Sequence, residues 1–197
     1  NTFTKIVSTP IEFNDSKRIS ITNNKISSES AEVEVSSSVR GIYVHTSSAA
    51  ANDVAIKGNV IVGTANVDIG IQVIGKVAAS YISGVDISDN VIEGCVASVV
   101  VDHVKESLRI SDNSIRGSLA GNVGTYERCA VNIRNIAGDM QVEVSGNTFV
   151  GGATSGGAVH WDRDVASPTA GTVHASIKDN FVDSMGQDGD WDNQADR

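Results

Sequence analysis

The sequence predicts an all-β fold, a solenoid of stacked parallel strands, and three observations support that prediction. A short motif recurs along the chain, and a second strand pattern recurs between its copies. The composition is rich in Val, Ile, Ser, Gly and Asn, which favours strands and turns over helices. With 197 residues, 40% of them hydrophobic, the chain can form one domain with a substantial core.

The recurring motif reads apolar, any, apolar, two polar residues, Asn, any, apolar. Its copies are ISITNNKI at 19–26, VAIKGNVI at 54–61, VDISDNVI at 85–92, LRISDNSI at 108–115, VEVSGNTF at 142–149 and ASIKDNFV at 175–182. With Asn1, its asparagines are separated by 23 to 35 residues. We predict about six to seven coils, with each Asn at a corner, in the left-handed conformation and bonded to the Asn of the next coil.

A second strand recurs between these motifs. It reads GIYVH at 41–45, GIQVI at 70–74, SVVVD at 98–102, AVNIR at 130–134 and AVHWD at 158–162. Strict alternation indicates a strand with one buried face, so we expect two strands per coil. Stacking in register would place outward side chains in two columns, one of Tyr43, Gln72, Val100, Asn132 and His160, the other of His45, Ile74, Asp102, Arg134 and Asp162.

This repeat resembles the right-handed parallel β-helix of the pectin-lyase-like superfamily, which includes pectate lyases, polygalacturonases and bacteriophage tailspike depolymerases. The resemblance covers residues 1–182 and is closest in style to the tailspikes. Val100-Val101-Asp102-His103 is similar to a Trp-Ile-Asp-His segment of pectate lyases without its Trp. The Arg-x-Pro-x-x-Arg segment of pectate lyases and the Asn-Thr-Asp, Gly-His-Gly and Arg-Ile-Lys segments of polygalacturonases are missing. The resemblance implies a polysaccharide partner, a homotrimer, and an extracellular or virion-tail location.

Two carboxylates in the second column are candidates for catalysis. Asp102 and Asp162 would lie two coils apart, roughly 9–10 Å at about 4.8 Å per coil, which suits an inverting glycosidase. Arg134 between them would lower the pKa of both carboxyl groups, so the alternative is a charge ladder on a solvated face. We assign substrate binding to Tyr43, His45, Asn132, Arg134, His160 and Glu127.

Charge and spacing argue against other ligands. The net charge of −9 disfavours nucleic acid and anionic membranes as partners. No metal-ligand spacing or cofactor motif is present, and we predict neither metal nor cofactor. Cys95 and Cys129 are expected to be buried thiols, with a disulfide as the alternative. We expect a β-helix domain at 1–182, part of a longer β-helix, followed by an acidic flexible tail at 183–197.

The functional hypothesis is a carbohydrate-interacting β-helix that hydrolyses a bacterial polysaccharide. A non-catalytic structural or adhesin β-helix and a secreted polysaccharide lyase or epimerase are the alternatives. The first strand has a similar outward column, Ser20, Ala55, Asp86, Arg109, Glu143 and Ser176, which we interpret as charge pairing on a face without a site. The inserts at 27–39, 116–128 and 163–172 form a second candidate region, because loops at coil corners often build groove walls.

Overall fold

The computed structural model describes residues 1–4, 8–27, 39–47, 51–63, 67–75, 81–118, 129–151, 157–162 and 172–185. These residues form three parallel sheets and no helix, so none of them lies in a helix able to cross a membrane. Sheet A contains β1 (Thr2–Thr4), β4 (Lys25–Ser27), β7 (Val60–Val62), β10 (Val91–Cys95), β13 (Ser114–Ser118), β16 (Thr148–Val150) and β19 (Phe181–Asp183).

The other two sheets have six strands each. Sheet B contains β2 (Ile11–Asn14), β5 (Arg40–His45), β8 (Ile69–Ile74), β11 (Ala97–Asp102), β14 (Val131–Arg134) and β17 (Val159–Asp162). Sheet C contains β3 (Ile19–Thr22), β6 (Asn52–Lys57), β9 (Ile82–Ser88), β12 (Val104–Ser111), β15 (Ala137–Ser145) and β18 (Val173–Lys178). The chain passes through sheets B, C and A in turn, which confirms the predicted parallel solenoid.

Each coil contains three strands, so the predicted two strands per coil are wrong. The missed strand is the short one in sheet A that follows the motif asparagine, such as Val60–Val62. The predicted count of six to seven coils is also too high, and about four complete coils are present among the described residues. Four coils, from Arg40 to Val150, have a neighbour on both sides, whereas the coils at the two ends are open on one side. The last coil exposes Ile177, Phe181 and Val182 because no strand among the described residues covers them.

Aliphatic side chains stack from coil to coil to form the core. In sheet B, Ile42, Ile71, Val99 and Val131 occupy one register position and are fully buried. Since each coil adds one residue to each stack, the alternating pattern of the sequence becomes a continuous apolar core. Both cysteines are buried thiols, and desolvation raises the pKa of the Cys95 thiol to about 12, which keeps it protonated and inert.

The motif asparagines form a buried ladder, as predicted. Side-chain amides bond from Asn1 through Asn24, Asn59, Asn90, Asn113 and Asn147 to Asn180, at 2.9–3.1 Å. The left-handed conformation, however, belongs to the residue before each Asn. Asn23, Gly58, Asp89, Asp112, Gly146 and Asp179 have φ between 55° and 65°. Asn, Asp and Gly tolerate that conformation best, which explains why these residue types precede the ladder.

Candidate functional site

Strand pairing in sheet B produces the two predicted side-chain columns. Tyr43 pairs with Gln72, Gln72 with Val100, Val100 with Asn132, and Asn132 with His160. The second column runs from His45 through Ile74, Asp102 and Arg134 to Asp162 in the same register. The sequence therefore predicts correctly which residues are neighbours across coils.

The middle of the first column is not on the surface, contrary to the prediction of an outward, exposed row. Gln72, Val100 and Asn132 are 1%, 0% and 0% exposed. Val100 packs with Ile69, Val96 and Ala97 in a small second apolar cluster outside the main core. Because the Asn132 side chain is buried and donates a hydrogen bond to the carbonyl of Cys129, it is not accessible to a ligand.

The end of β11 carries a carboxylate with two close polar contacts. The Oδ1 atom of Asp102 accepts a hydrogen bond from Nδ2 of Asn135 at 2.8 Å and lies 2.8 Å from Nδ1 of His103. His103 and Asn135 both have left-handed backbones, with φ of 53° and 47°, at equivalent corners of successive coils. The Tyr81 ring lies 5.5 Å from the His103 ring, centroid to centroid.

These contacts decide the charge of Asp102. Burial alone would raise its pKa, but hydrogen bonding from His103 and Asn135, together with the charges of His103 and Arg134, outweighs desolvation and lowers the pKa. Asp102 is therefore ionised at neutral pH. An ionised carboxylate can accept a proton or orient a water molecule, but it cannot donate a proton.

Tyr43, at one end of the first column, is already in contact with neighbouring side chains. The rings of Tyr43 and His45 stack with centroids 4.3 Å apart, and the Arg40 guanidinium lies 4.4 Å from the Tyr43 centroid. His45 Nε2 contacts a Glu12 carboxylate oxygen at 2.9 Å. Tyr43 is thus half-buried within a local cluster, which reduces the ring area that could stack on a sugar.

The remaining predicted residues are placed to different extents. His160 and Arg134 are half-buried on sheet B. The Asp162 backbone pairs with Arg134, but its side chain lies outside the described residues, as do Glu127 and most of the three inserts. Within the described ranges, no group of three His, Cys, Asp or Glu side chains could hold a metal ion.

A groove lies on sheet C, on the face that we interpret from sequence as charge pairing without a site. It has a volume of about 600 Å³ and is lined by two adjacent columns of side chains. One contains Ser107, Gln141 and His174, and the other contains Asp86, Arg109 and Glu143. The first of these columns is absent from the sequence prediction.

Strand pairing is irregular beside this groove. The register of β12 shifts between Lys105 and Leu108 against β9, and between Lys105 and Glu106 against β15. Gly84 and Glu106 have φ of 67° and 69° at these points. These bulges lie at the start of the motif strand, and from Glu106 onward β12 and β15 pair in unbroken register.

Ion pairs cross the sheet C face between coils, as the charge-pairing interpretation predicts. Lys57 Nζ lies 2.5 Å from Asp86 Oδ2, and Lys178 Nζ lies 3.5 Å from Glu143 Oε1. The Ser145 hydroxyl hydrogen-bonds Glu143 at 2.9 Å. The hydrogen bond from Ser145 and the charge of Lys178 lower the pKa of Glu143, so this carboxylate is ionised at neutral pH.

No protein-family model, no curated protein and no solved structure matches the chain. The parallel β-helix itself is consistent with a carbohydrate-interacting or a structural role.

Proposed function

We propose that this protein binds a bacterial polysaccharide and hydrolyses it at the edge of sheet B. The observation that carries the proposal is the column formed by Asp102, Arg134 and Asp162. Two coil spacings separate the two aspartates, roughly 9–10 Å between their Cα atoms. That separation leaves room for the water molecule that an inverting glycosidase needs between its carboxyl groups.

The lowered pKa of Asp102 assigns the roles in this proposal. Asp102, ionised and oriented by Asn135, is the general base that accepts a proton from the attacking water. Asp162 is the general acid that gives its proton to the leaving glycosidic oxygen, a role that requires the Arg134 guanidinium to point toward the substrate and away from Asp162. Arg134, between the two, and His160, on the neighbouring position of the sheet, hold the sugar. Tailspike-like features, including a homotrimer and a location outside the cell or on a virion tail, belong to this proposal as well.

The test is incubation of the protein with a panel of capsular and lipopolysaccharide glycans. We expect new reducing ends without the absorbance of unsaturated uronates, whereas a lyase would produce both. Asp102→Asn and Asp162→Asn should each lower the rate by about 100-fold or more, since general acid–base catalysis contributes about that much. Asp89→Asn is a matched control because Asp89 is exposed and its left-handed backbone, φ 59°, suits Asn.

Activity that survives in both Asp102→Asn and Asp162→Asn would refute the assigned pair. If no glycan of the panel yields new reducing ends, hydrolysis is refuted. That result would favour the second candidate, a non-catalytic structural or adhesin β-helix. The cross-coil ion pairs of sheet C and the buried centre of the sheet B column favour that candidate, because both stabilise the solenoid without a ligand.

A further inference from the structure

The last coil of the solenoid presents an uncovered apolar end. Ile177, Phe181 and Val182 are 46%, 60% and 51% exposed. One coil earlier in the same rows, Val144 and Phe149 are 0% and 1% exposed. Among the described strands, none pairs with the free edges of β17, β18 and β19, which together form the end face. Because an apolar solenoid end needs a cover and unpaired strand edges recruit further strands, the end face is an interaction surface.

The end face is a ramp, because the chain climbs as it passes through the three sheets. One coil rises by about 4.8 Å, so β17 in sheet B is lowest, β18 in sheet C is intermediate, and β19 in sheet A is highest, roughly 3 Å above β17. A two-fold axis through the middle of β18 places β19 of one copy over β17 of another. The high side of each ramp then meets the low side of the other, and the gap between copies is uniform. We propose that the end face binds a second copy of this chain in this two-fold arrangement.

The residue pattern of β18 suits that axis. Val173, Ala175 and Ile177 continue the inward rows of β15. In an antiparallel pair, residues directly opposite each other lie on the same face of the sheet. With Ala175 on the axis, each Val173 lies opposite Ile177 of the second copy, so apolar side chains meet on the inner face. On the outer face His174 lies opposite Ser176, and no two like charges are opposite each other within β18.

A head-to-tail arrangement of two copies fits the described strands less well. Sheet A has seven of these strands, and sheets B and C have six each. If β1 of a second copy continued sheet A on β19, the positions next to β17 and β18 would stay empty, since β2 and β3 belong to the coil after β1. The two-fold arrangement leaves no such gap, and it closes instead of growing into a filament.

Sedimentation velocity of the full 197-residue chain tests the inference, at about 0.15 M salt to screen the net charge of −9. We expect a dimer at micromolar concentration, or a hexamer where the proposed homotrimer also forms. Ile177→Lys places a charge in the contact and should halve the mass in either case. Phe13→Lys is the matched control because Phe13 is 38% exposed at the opposite end of the solenoid, and it should leave the mass unchanged. Circular dichroism checks that both variants are folded.

Ala175→Cys tests the position of the axis. The two introduced thiols lie opposite each other in the two-fold arrangement, with Cβ atoms about 4.5–5.5 Å apart, within reach of a disulfide. Cys95 and Cys129 are buried and do not compete for oxidation. We expect mild oxidation to convert most of this variant into a covalent dimer on a denaturing gel, whereas Phe13→Cys stays a single chain.

Other assemblies would each overturn the inference. A monomer or a trimer at every concentration would mean that something other than a second copy covers the end face, with residues 186–197 as the next occupant to test. Filaments that Phe13→Lys abolishes would indicate head-to-tail stacking. A dimer that survives Ile177→Lys, or that Ala175→Cys does not cross-link, would place the contact elsewhere. The inference goes beyond the proposed function and does not depend on it, because no glycan takes part in the contact.

Discussion

Removal of one amide from the middle of the asparagine ladder tests how much the ladder stabilises the solenoid. In Asn90, Oδ1 accepts hydrogen bonds from the backbone N–H and Nδ2 of Asn59, both at 3.0 Å. Its Nδ2 donates to the carbonyls of Ile56 and Ser88 and to Oδ1 of Asn113, at 2.9–3.0 Å. Asn90→Ala therefore removes five hydrogen bonds from a residue that is 0% exposed.

The expected loss follows from which partners stay unsatisfied. The backbone N–H of Asn59 loses its acceptor, at a cost of about 1–3 kcal/mol for a buried donor. Asn59 Nδ2 and Asn113 Oδ1 keep other partners, so the remaining bonds cost less, about 0.5–1 kcal/mol each. We expect Asn90→Ala to lower the free energy of unfolding by about 3–7 kcal/mol, measured by urea denaturation followed by circular dichroism.

Asn180→Ala is the matched control at the open end of the same ladder. Asn180 accepts two hydrogen bonds from Asn147 and donates one to the carbonyl of Val144, but it is only half-buried on the end coil. Water can replace these contacts, so we expect a loss of about 1 kcal/mol. If Asn90→Ala costs under about 1 kcal/mol, or no more than Asn180→Ala, the ladder does not have the structural role argued above.

Two further predictions concern Asp102 and a close backbone approach. Because the folded pKa of Asp102 lies below its ordinary value of 3.8, its carboxylate stabilises the fold fully above that pH and loses this effect as the pH falls through the folded pKa. Acid titration of unfolding free energy should therefore be shallower below pH 3.8 for Asp102→Asn than for the unmodified chain, and identical curves would contradict the assigned contacts. In Gly70→Ala, the new Cβ would lie 2.6 Å from the Ser98 carbonyl oxygen and 2.8 Å from Ile92, at an expected cost of about 3 kcal/mol in thermal or urea unfolding. Gly117→Ala meets nothing within 4 Å and strains only φ, so its loss should be about 1 kcal/mol, and equal losses would refute the steric argument.

The sequence predicts the register of the solenoid well because register depends on local alternation. The spacing between an inward residue such as Val99 and its outward neighbours is the same in every coil, so the columns of sheet B follow once two motifs are aligned. The strand after each Asn escapes prediction because it has only three to five residues, three in Val60–Val62, too few to show alternation.

The candidate sites are harder to predict because exposure depends on what packs outside the sheet. Val100 and Asn132 alternate as outward residues, but side chains such as Val96 turn that outer surface into a second apolar cluster. On sheet C, Ser107 and Gln141 occupy equivalent positions before the motif asparagines and pair in unbroken register, so no bulge separates them from the motif. A signal was present, since Ser-x-Arg, Gln-x-Glu and His-x-Ser pairs precede three successive motif asparagines.

The unequal intervals between ladder asparagines have a consequence for how this chain can change. The segments from Asn24 to Asn59 and from Asn90 to Asn113 differ by 12 residues, 35 against 23, although each ends one coil further along the stack. Loop closure makes the longer segment less favourable by only about 0.4 kcal/mol. Added residues thus cost little free energy at the corners, whereas within a strand they would shift its register. Evolution can insert or delete residues at a corner and leave every column on the three faces in place.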